Sequence, residues 1–423
     1  MNEMEYPRVG ETVCRQTLPN GLEIITVKKP YHTRSYAFFA VRYGGMDLRF
    51  RLDGRWQEVP AGVAHYLEHK MFDMETGNVM AEFAQRGASD NAFTSSAMTA
   101  YYFTSTSQFY ENLRTLLRYV STPYFTQESV DKERGIIAQE IQETEDDPDW
   151  RVYANLMECL YQNSPARIPV AGSVESIQKI TPQTLYQCYD TFYTPSNMLL
   201  VCVGNMDPQR VAEEAEAILP QAGGPAVERD YGAEESPAPA RAGAVQSMEV
   251  SMPMFLAGYK CTPQPDGPAN LRQSIIGDMA CDALFGSSSP LFTRLYGEGL
   301  INSSLGGNFD ILPGAEYVYV GGDAKDPQRI FDELTRQAQK MGQEGIDGDF
   351  YRQIRRSTYG GMLRSLNSLE NIAISLTEGY FRGFDYFRFP EIFDTVEKAD
   401  VEKFLRENFT PERAALSVIQ PLT

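Results

Sequence analysis

The chain repeats itself at a fixed spacing. Phe192-Tyr193-Thr194-Pro195 returns 216 positions later as Asn408-Phe409-Thr410-Pro411, and each copy leads into an apolar run, Leu199 to Val203 and Ala415 to Ile419. Ala37 to Tyr43 returns at the same offset as Pro253 to Tyr259. A duplication of this size restricts the fold to two similarly built halves. The seam is visible between Leu219 and Gly243, where Pro, Gly and Ala dominate and apolar periodicity disappears. The expected organisation is a first half over 1–220, a linker over 221–245 and a homologous half over 246–423. In the first half, Glu23 to Val27, Ser35 to Tyr43, Thr99 to Ser105 and Leu199 to Val203 read as strands. Met80 to Ala84 and Ser107 to Val120 read as helices. Strands followed by helices and more strands imply an α+β fold, each half a mostly antiparallel sheet packed with helices.

Composition narrows the class. A chain of 423 residues exceeds what one core supports. Its 42% hydrophobic and 22% charged content is that of a globular protein. The formal net charge of −19, with no basic run against it, argues against nucleic-acid binding. The six cysteines include no C-x-x-C pair and lie in apolar contexts such as Leu200-Val201-Cys202-Val203, so they read as reduced core residues. The first residues lack a basic n-region and an apolar h-region, and no run approaches the ~18 apolar residues of a membrane span. A bacterial cytoplasmic protein is the expectation.

Only three histidines occur, and two stand four residues apart in His65-Tyr66-Leu67-Glu68-His69. On a helix, His69 lies about 40° from His65 and Glu68 about 60° to the other side. Two imidazoles and a carboxylate thus share one narrow sector, the pattern of a zinc hydrolase with two helix-borne ligands and an adjacent base. Val63, Ala64, Leu67 and Met71 keep a 3.6-residue rhythm, and Pro60 sits near the start, so a largely buried helix is expected. Zinc needs a third protein ligand. His32 is one candidate, although its surroundings read as a loop. The better one lies between Lys132 and Glu143, where Glu133, Ile136, Ile137, Glu140 and Ile141 fall on or near one helical stripe and the two glutamates are two turns apart.

His65-x-x-Glu68-His69 with Glu133 and Glu140 some seventy residues later resembles the inverzincin metallopeptidases of the pitrilysin, insulysin and mitochondrial-processing-peptidase family. Gly87 to Ser95 is similar to that family's strand beside the active site, and Phe192 to Gly204 to the strand closing its first half-domain. The resemblance implies that His65, His69 and Glu140 bind one Zn²⁺, that Glu68 is the general base, and that Glu133 fixes a ligand histidine. It also favours Asn91, Ala92 and Phe93 as an edge strand that pairs with a peptide backbone; an internal strand fits the residues alone equally well. The implied activity is that of a zinc endopeptidase for short or unfolded peptides. The alternative is a non-proteolytic assembly or binding subunit of the same fold.

At an offset of 216, His65, Glu68, His69 and Glu140 correspond to Cys281, Leu284, Phe285 and Arg356, so the second half is expected to lack a metal site. Many family members carry an Arg and a Tyr there that bind substrate and stabilise the oxyanion. The corresponding positions hold Tyr296 and Asn302, with Arg294, Tyr317 and Tyr319 as possible substitutes. The resemblance therefore implies a homo- or hetero-dimer in which a homologous subunit supplies the Arg/Tyr pair.

Overall fold

The computed structural model describes residues 2–75, 77–224 and 226–422. It resolves into two compact units. Unit 1 comprises Met1–Ile141, Pro169–Asp230 and Leu363–Arg388; unit 2 comprises Gln142–Ile168, Tyr231–Met362 and Phe389–Thr423. The unit 1 sheet has seven strands: β1 (Asn2–Tyr6), β2 (Glu11–Thr17), β3 (Glu23–Lys28), β4 (Ser35–Val41), β5 (Ser89–Thr94), β6 (Thr99–Ser105) and β7 (Met198–Gly204), ordered β1-β2-β3-β7-β4-β6-β5. The five-stranded sheet of unit 2 contains β8 (Gly243–Met248), β9 (Met254–Cys261), β10 (Gly306–Leu312), β11 (Ala315–Asp323) and β12 (Ala414–Pro421), ordered β8-β12-β9-β11-β10. The last five strands of the first sheet repeat the connection order of the second. In both, the first and last strands of the set pair in parallel and the rest antiparallel. The fold is α+β with two sheet-containing halves.

The register refines the repeat. Met198 pairs with Val41 in unit 1, whereas Ala414 pairs with Tyr259 in unit 2. The last strands thus keep the offset of 216, but the second strands are displaced by 218. One fixed offset therefore does not align every element. The absence of a metal motif from the second half does not depend on it, because all three histidines precede residue 70.

The helices that matter most are α1 (Val63–Met71), α2 (Phe109–Val120), α3 (Gln127–Glu145), α4 (Pro148–Leu160), α5 (Pro208–Ile218), α6 (Pro268–Phe285) and α7 (Leu369–Phe381). Helix α4 belongs to unit 2 and lies on β9 and β12, although it precedes the linker in sequence. Gly258 makes that packing possible: a Cβ there would come within 2.8 Å of Leu156. Helix α7 belongs to unit 1 and lies on β7 and β4, with Ile372, Ala373 and Leu376 buried. Unit 1 has a large core that includes Phe39, Leu67, Tyr101, Leu116 and Leu200.

The segment before β8 is pinned despite its irregular backbone. Glu235 accepts hydrogen bonds from the Ser164 backbone N–H (2.7 Å) and from Lys260 Nζ (2.8 Å). Lys260 is 4% exposed and lies 4.8 Å from the Tyr161 ring centroid. Burial raises the Glu235 pKa, but Lys260 and the backbone donors outweigh it and the net shift is downward. The stability this group contributes is therefore present above the ordinary carboxylate range and fades as pH falls through the lowered folded-state value. Glu235→Ala strands a buried ammonium and should cost about 3–5 kcal/mol, read as a lower urea midpoint of the whole chain. An unchanged midpoint would show that water replaces the carboxylate at no cost.

Candidate metal centre

Helix α1 begins on Gly62, whose φ of 94° is left-handed and whose Cβ, if present, would meet the Ala171 carbonyl oxygen at 2.5 Å. Glycine alone fits that start. Val63, Ala64, Leu67 and Met71 are buried, as the apolar rhythm requires, and Tyr66 is buried with them. The Tyr66 hydroxyl donates to the Val130 carbonyl and ties α1 to α3. Helix α3 buries Val130, Ile137 and Ile141, but Ile136 is 49% exposed, so the apolar stripe is narrower than its sequence suggests. The glutamates flank that stripe.

The result is a convergence of three side chains. One ligand atom from each of His65, His69 and Glu140 lies within 4.8 Å of the others. His65 Nε2 is 3.4 Å from Glu140 Oε1, and His69 Nε2 is 3.4 Å from Glu140 Oε2. Those separations are long for direct N–H···O bonds, which run about 2.7–3.2 Å. Each is close to the ~3.3 Å edge of a zinc tetrahedron with ligands ~2.0–2.1 Å from the ion, the two histidines approaching different oxygens of the carboxylate. Two imidazole nitrogens and a carboxylate are also a donor set that zinc accepts. The residues therefore fit the metal. His69 Nδ1 lies 3.0 Å from Glu133 Oε1, which selects the tautomer that leaves Nε2 facing Glu140. His65 Nδ1 is buried and has no such partner among the described residues.

The charges are coupled. The polar contact with the His65 imidazole, 3.4 Å away, lowers the Glu140 pKa against the opposing effect of burial, and the charges of the two imidazoles lower it further. Burial pulls the His69 imidazole down, but the Glu133 hydrogen bond and the charges of Glu140 and Glu68 reverse the direction, and the net shift is upward. Proton and metal thus compete for the same nitrogen.

Glu68 stands beside this group. Its Oε2 accepts a hydrogen bond of 2.7 Å from the Thr94 hydroxyl, at the end of β5. Helical spacing does not reveal Thr94 as a functional residue, because its approach to Glu68 depends on a strand hairpin. Asn91, Ala92 and Phe93 lie on β5, which pairs with β6 on one side and forms the edge of the sheet. His32 lies in the loop before β4 and is not part of the metal group.

Unit 2 places the remaining candidates as follows. Tyr296 is 55% exposed. Asn302 donates to Asp323 (3.0 Å). Arg294 is held by Glu333 at 2.5 Å and by Glu298 at 3.4 Å. Tyr317 is buried and bonded to Tyr153 (2.6 Å), and Tyr319 accepts from Asn308 (3.3 Å). Each of the last four is engaged within its own unit.

Two histidines from α1, a carboxylate from α3 and a separate acid at their side have the make-up of a hydrolase metal centre. The relatives agree with that class. Residues 54–174 match Insulinase (Peptidase family M16), and residues 179–357 match Peptidase M16 inactive domain. The chain is 36% identical over 424 residues to the uncharacterized zinc protease YmfH of Bacillus subtilis, covering 99% of both proteins. It is 27% identical over 208 residues to a mitochondrial-processing peptidase subunit beta of Arabidopsis thaliana, a match spanning 48% of this chain and 38% of that one. The crystal structure of an M16-like peptidase from Alicyclobacillus acidocaldarius superposes with a TM-score of 0.94 at 34% identity, covering 97% of this chain and 99% of that one. The chain belongs to peptidase family M16, the insulinase family.

Proposed function

We propose that this protein is a zinc-dependent endopeptidase for short or unfolded peptides, with His65, His69 and Glu140 as metal ligands and Glu68 as general base. The observation that carries the reading is the 3.4 Å spacing of both imidazoles from one carboxylate, with Glu68 beside them. When bound, zinc supplies a Lewis acid that brings the pKa of water toward about 7 and polarises a peptide carbonyl. The chain's own residues do the rest. Glu133 holds the His69 ring in place. Thr94 occupies one oxygen of Glu68 and orients the carboxylate. The other oxygen takes a proton from the attacking water and delivers it to the leaving amine. The outer edge of β5 at Asn91, Ala92 and Phe93 holds the substrate backbone as an added strand, which grips main chain and not sequence. The test is cleavage of a quenched peptide by zinc-loaded protein, with loss on chelation and recovery on zinc addition. A zinc-replete protein that leaves such peptides intact would favour the assembly-subunit alternative.

The active unit is a dimer with a homologous subunit, in the cytoplasm of a bacterium. The reason lies in unit 2, where Tyr296 and Asn302 stand at the expected Arg and Tyr positions and Arg294 is committed to Glu333. The lone chain should bind zinc fully yet turn over peptide slowly, since one missing oxyanion donor costs about 10²–10³ in turnover. Titrating in a homologous subunit that bears the pair should restore the rate at constant zinc content. Vigorous cleavage by the lone chain would end the two-subunit argument and leave the peptidase assignment standing.

A further inference from the structure

The peptidase chemistry leaves one polar cleft of unit 1 unused. It opens where β4 begins, at Ser35, and where β6 and β7 end, at Ser105 and at Asn205 just past β7. Its volume is about 680 Å³. Strand β6 starts at Thr99, whose hydroxyl lies 3.4 Å from that of Thr94 beside Glu68. At about 3.4 Å per residue, Ser105 is roughly 20 Å from Thr99, so the cleft and the metal group sit at opposite ends of one strand.

We propose that this cleft binds a phosphoryl group, carried by free phosphate or by a small phosphate monoester. Its lining is rich in donors. The twelve-residue helix α2 starts here, and no side chain caps it: Gln108, at the cap position, is held left-handed at φ 51° with no side-chain hydrogen bond to the helix. The first turn of such a helix presents backbone N–H groups and a partial positive charge. Arg210, from α5, lines the same cleft, with its guanidinium 3.8 Å from the Tyr110 ring centroid and its Nε 3.7 Å from Glu214, which leaves its terminal nitrogens to face a ligand. Ser105 is 4% exposed, and its buried hydroxyl has no hydrogen-bond partner among the described residues. A buried hydroxyl left without a partner costs about 1–3 kcal/mol, so its presence in a cleft wall points to a ligand.

His32, the histidine that the metal group does not use, stands in the lining. Glu111 is the acid among these lining residues; Arg114 lies 3.9 Å from it and donates its short hydrogen bonds to Glu214 (2.6 and 2.7 Å). A phosphoryl group is rich in acceptor oxygens, which complements the donors of this wall. The donors come from a helix end, a strand end and a side chain of a second helix, an arrangement that suits a tetrahedral anion better than a planar carboxylate. Tyr31, 97% exposed at the rim, offers a ring face to the body of an ester.

The test uses zinc-loaded full-length protein with carbon-13-labelled histidine. The His32 ring signal is followed during titration with inorganic phosphate, with O-phosphoserine, and with chloride at matched ionic strength. The expected result is a saturable His32 shift with phosphate and none with chloride. Arg210→Gln should raise the half-saturating concentration at least about tenfold. Ser105→Ala should raise it several-fold, with zinc content unchanged in both variants. Tighter binding of phosphoserine assigns the site to an ester; equal or weaker binding assigns it to the free anion. A response that never saturates, or that Arg210→Gln leaves intact, means an adventitious ion only and overturns the proposal. Movement of the His65 and His69 signals in step with His32 also overturns it, because the anion then acts at the metal.

Discussion

Alanine at both His65 and His69 is expected to take bound zinc from about one ion per chain to near none while the fold stays intact. The two effects separate because the histidines do not carry the core. Their side chains are 12% and 24% exposed, whereas Val63, Leu67 and Met71 on the same helix are buried at 1%, 0% and 1%. One remaining carboxylate cannot hold zinc against dialysis once both imidazoles are gone. Elemental analysis of the dialysed variant gives the occupancy, and far-ultraviolet circular dichroism reports the fold. Full zinc in the double variant would refute the ligand assignment. Melting should still move down modestly, because an ion that binds only the folded state stabilises it by mass action.

The second large effect belongs to Glu68. Glu68→Gln preserves size and can still accept the Thr94 hydrogen bond, but the amide cannot take a proton from water. Peptide turnover should fall by at least about 10²-fold at unchanged zinc content. The pairing of the two readouts matters more than either alone. Zinc lost together with activity would make Glu68 a ligand and undo the assignment of roles. Activity retained would move the base elsewhere, and Glu133, 3.0 Å from His69, would be the nearest carboxylate to try.

The parts of this architecture that were legible in the chain are those written in local periodicity. Spacing of i and i+4 puts His65 and His69 on one face wherever the segment is helical, and a seven-residue step does the same for Glu133 and Glu140. The α+β class and the repeated halves followed from strand-like runs and a duplicated Thr-Pro turn. What escaped depends on long-range register. Thr94 reaches Glu68 across 26 residues because β5 and β6 form a hairpin in one alignment only. The exposure of Ile136 follows from the face that α3 turns inward, on which Val130, Ile137 and Ile141 are buried, and no pattern within α3 fixes that face to a single stripe. Likewise, Arg294 is spent on Glu333, 39 positions away. The change in offset from 216 to 218 arises from residues inserted between elements, to which a comparison at one fixed spacing is blind.

The placement of α4 and α7 bears on how the chain can be made. Unit 1 is not complete until Leu363–Arg388 has been synthesised, although His65, His69 and Glu140 all lie before residue 141. A ribosome that has delivered the first 230 residues has released β7 and β4 without the apolar cover of Ile372, Ala373 and Leu376. Closure of that unit waits for more than a hundred further residues, several seconds or more at about 5–20 residues per second. Throughout that interval α4 is also without β12 (Ala414–Pro421), one of its two supporting strands, while β9 (Met254–Cys261) is made early in it. The nascent chain therefore exposes two unfinished apolar faces at once, and contacts of such long sequence separation form slowly. A frameshift or stop between the two helices leaves neither unit closed. Expression of either half as a separate fragment should yield aggregate, whereas co-expression of fragments cut within the segment before β8 gives each unit its missing helix in trans.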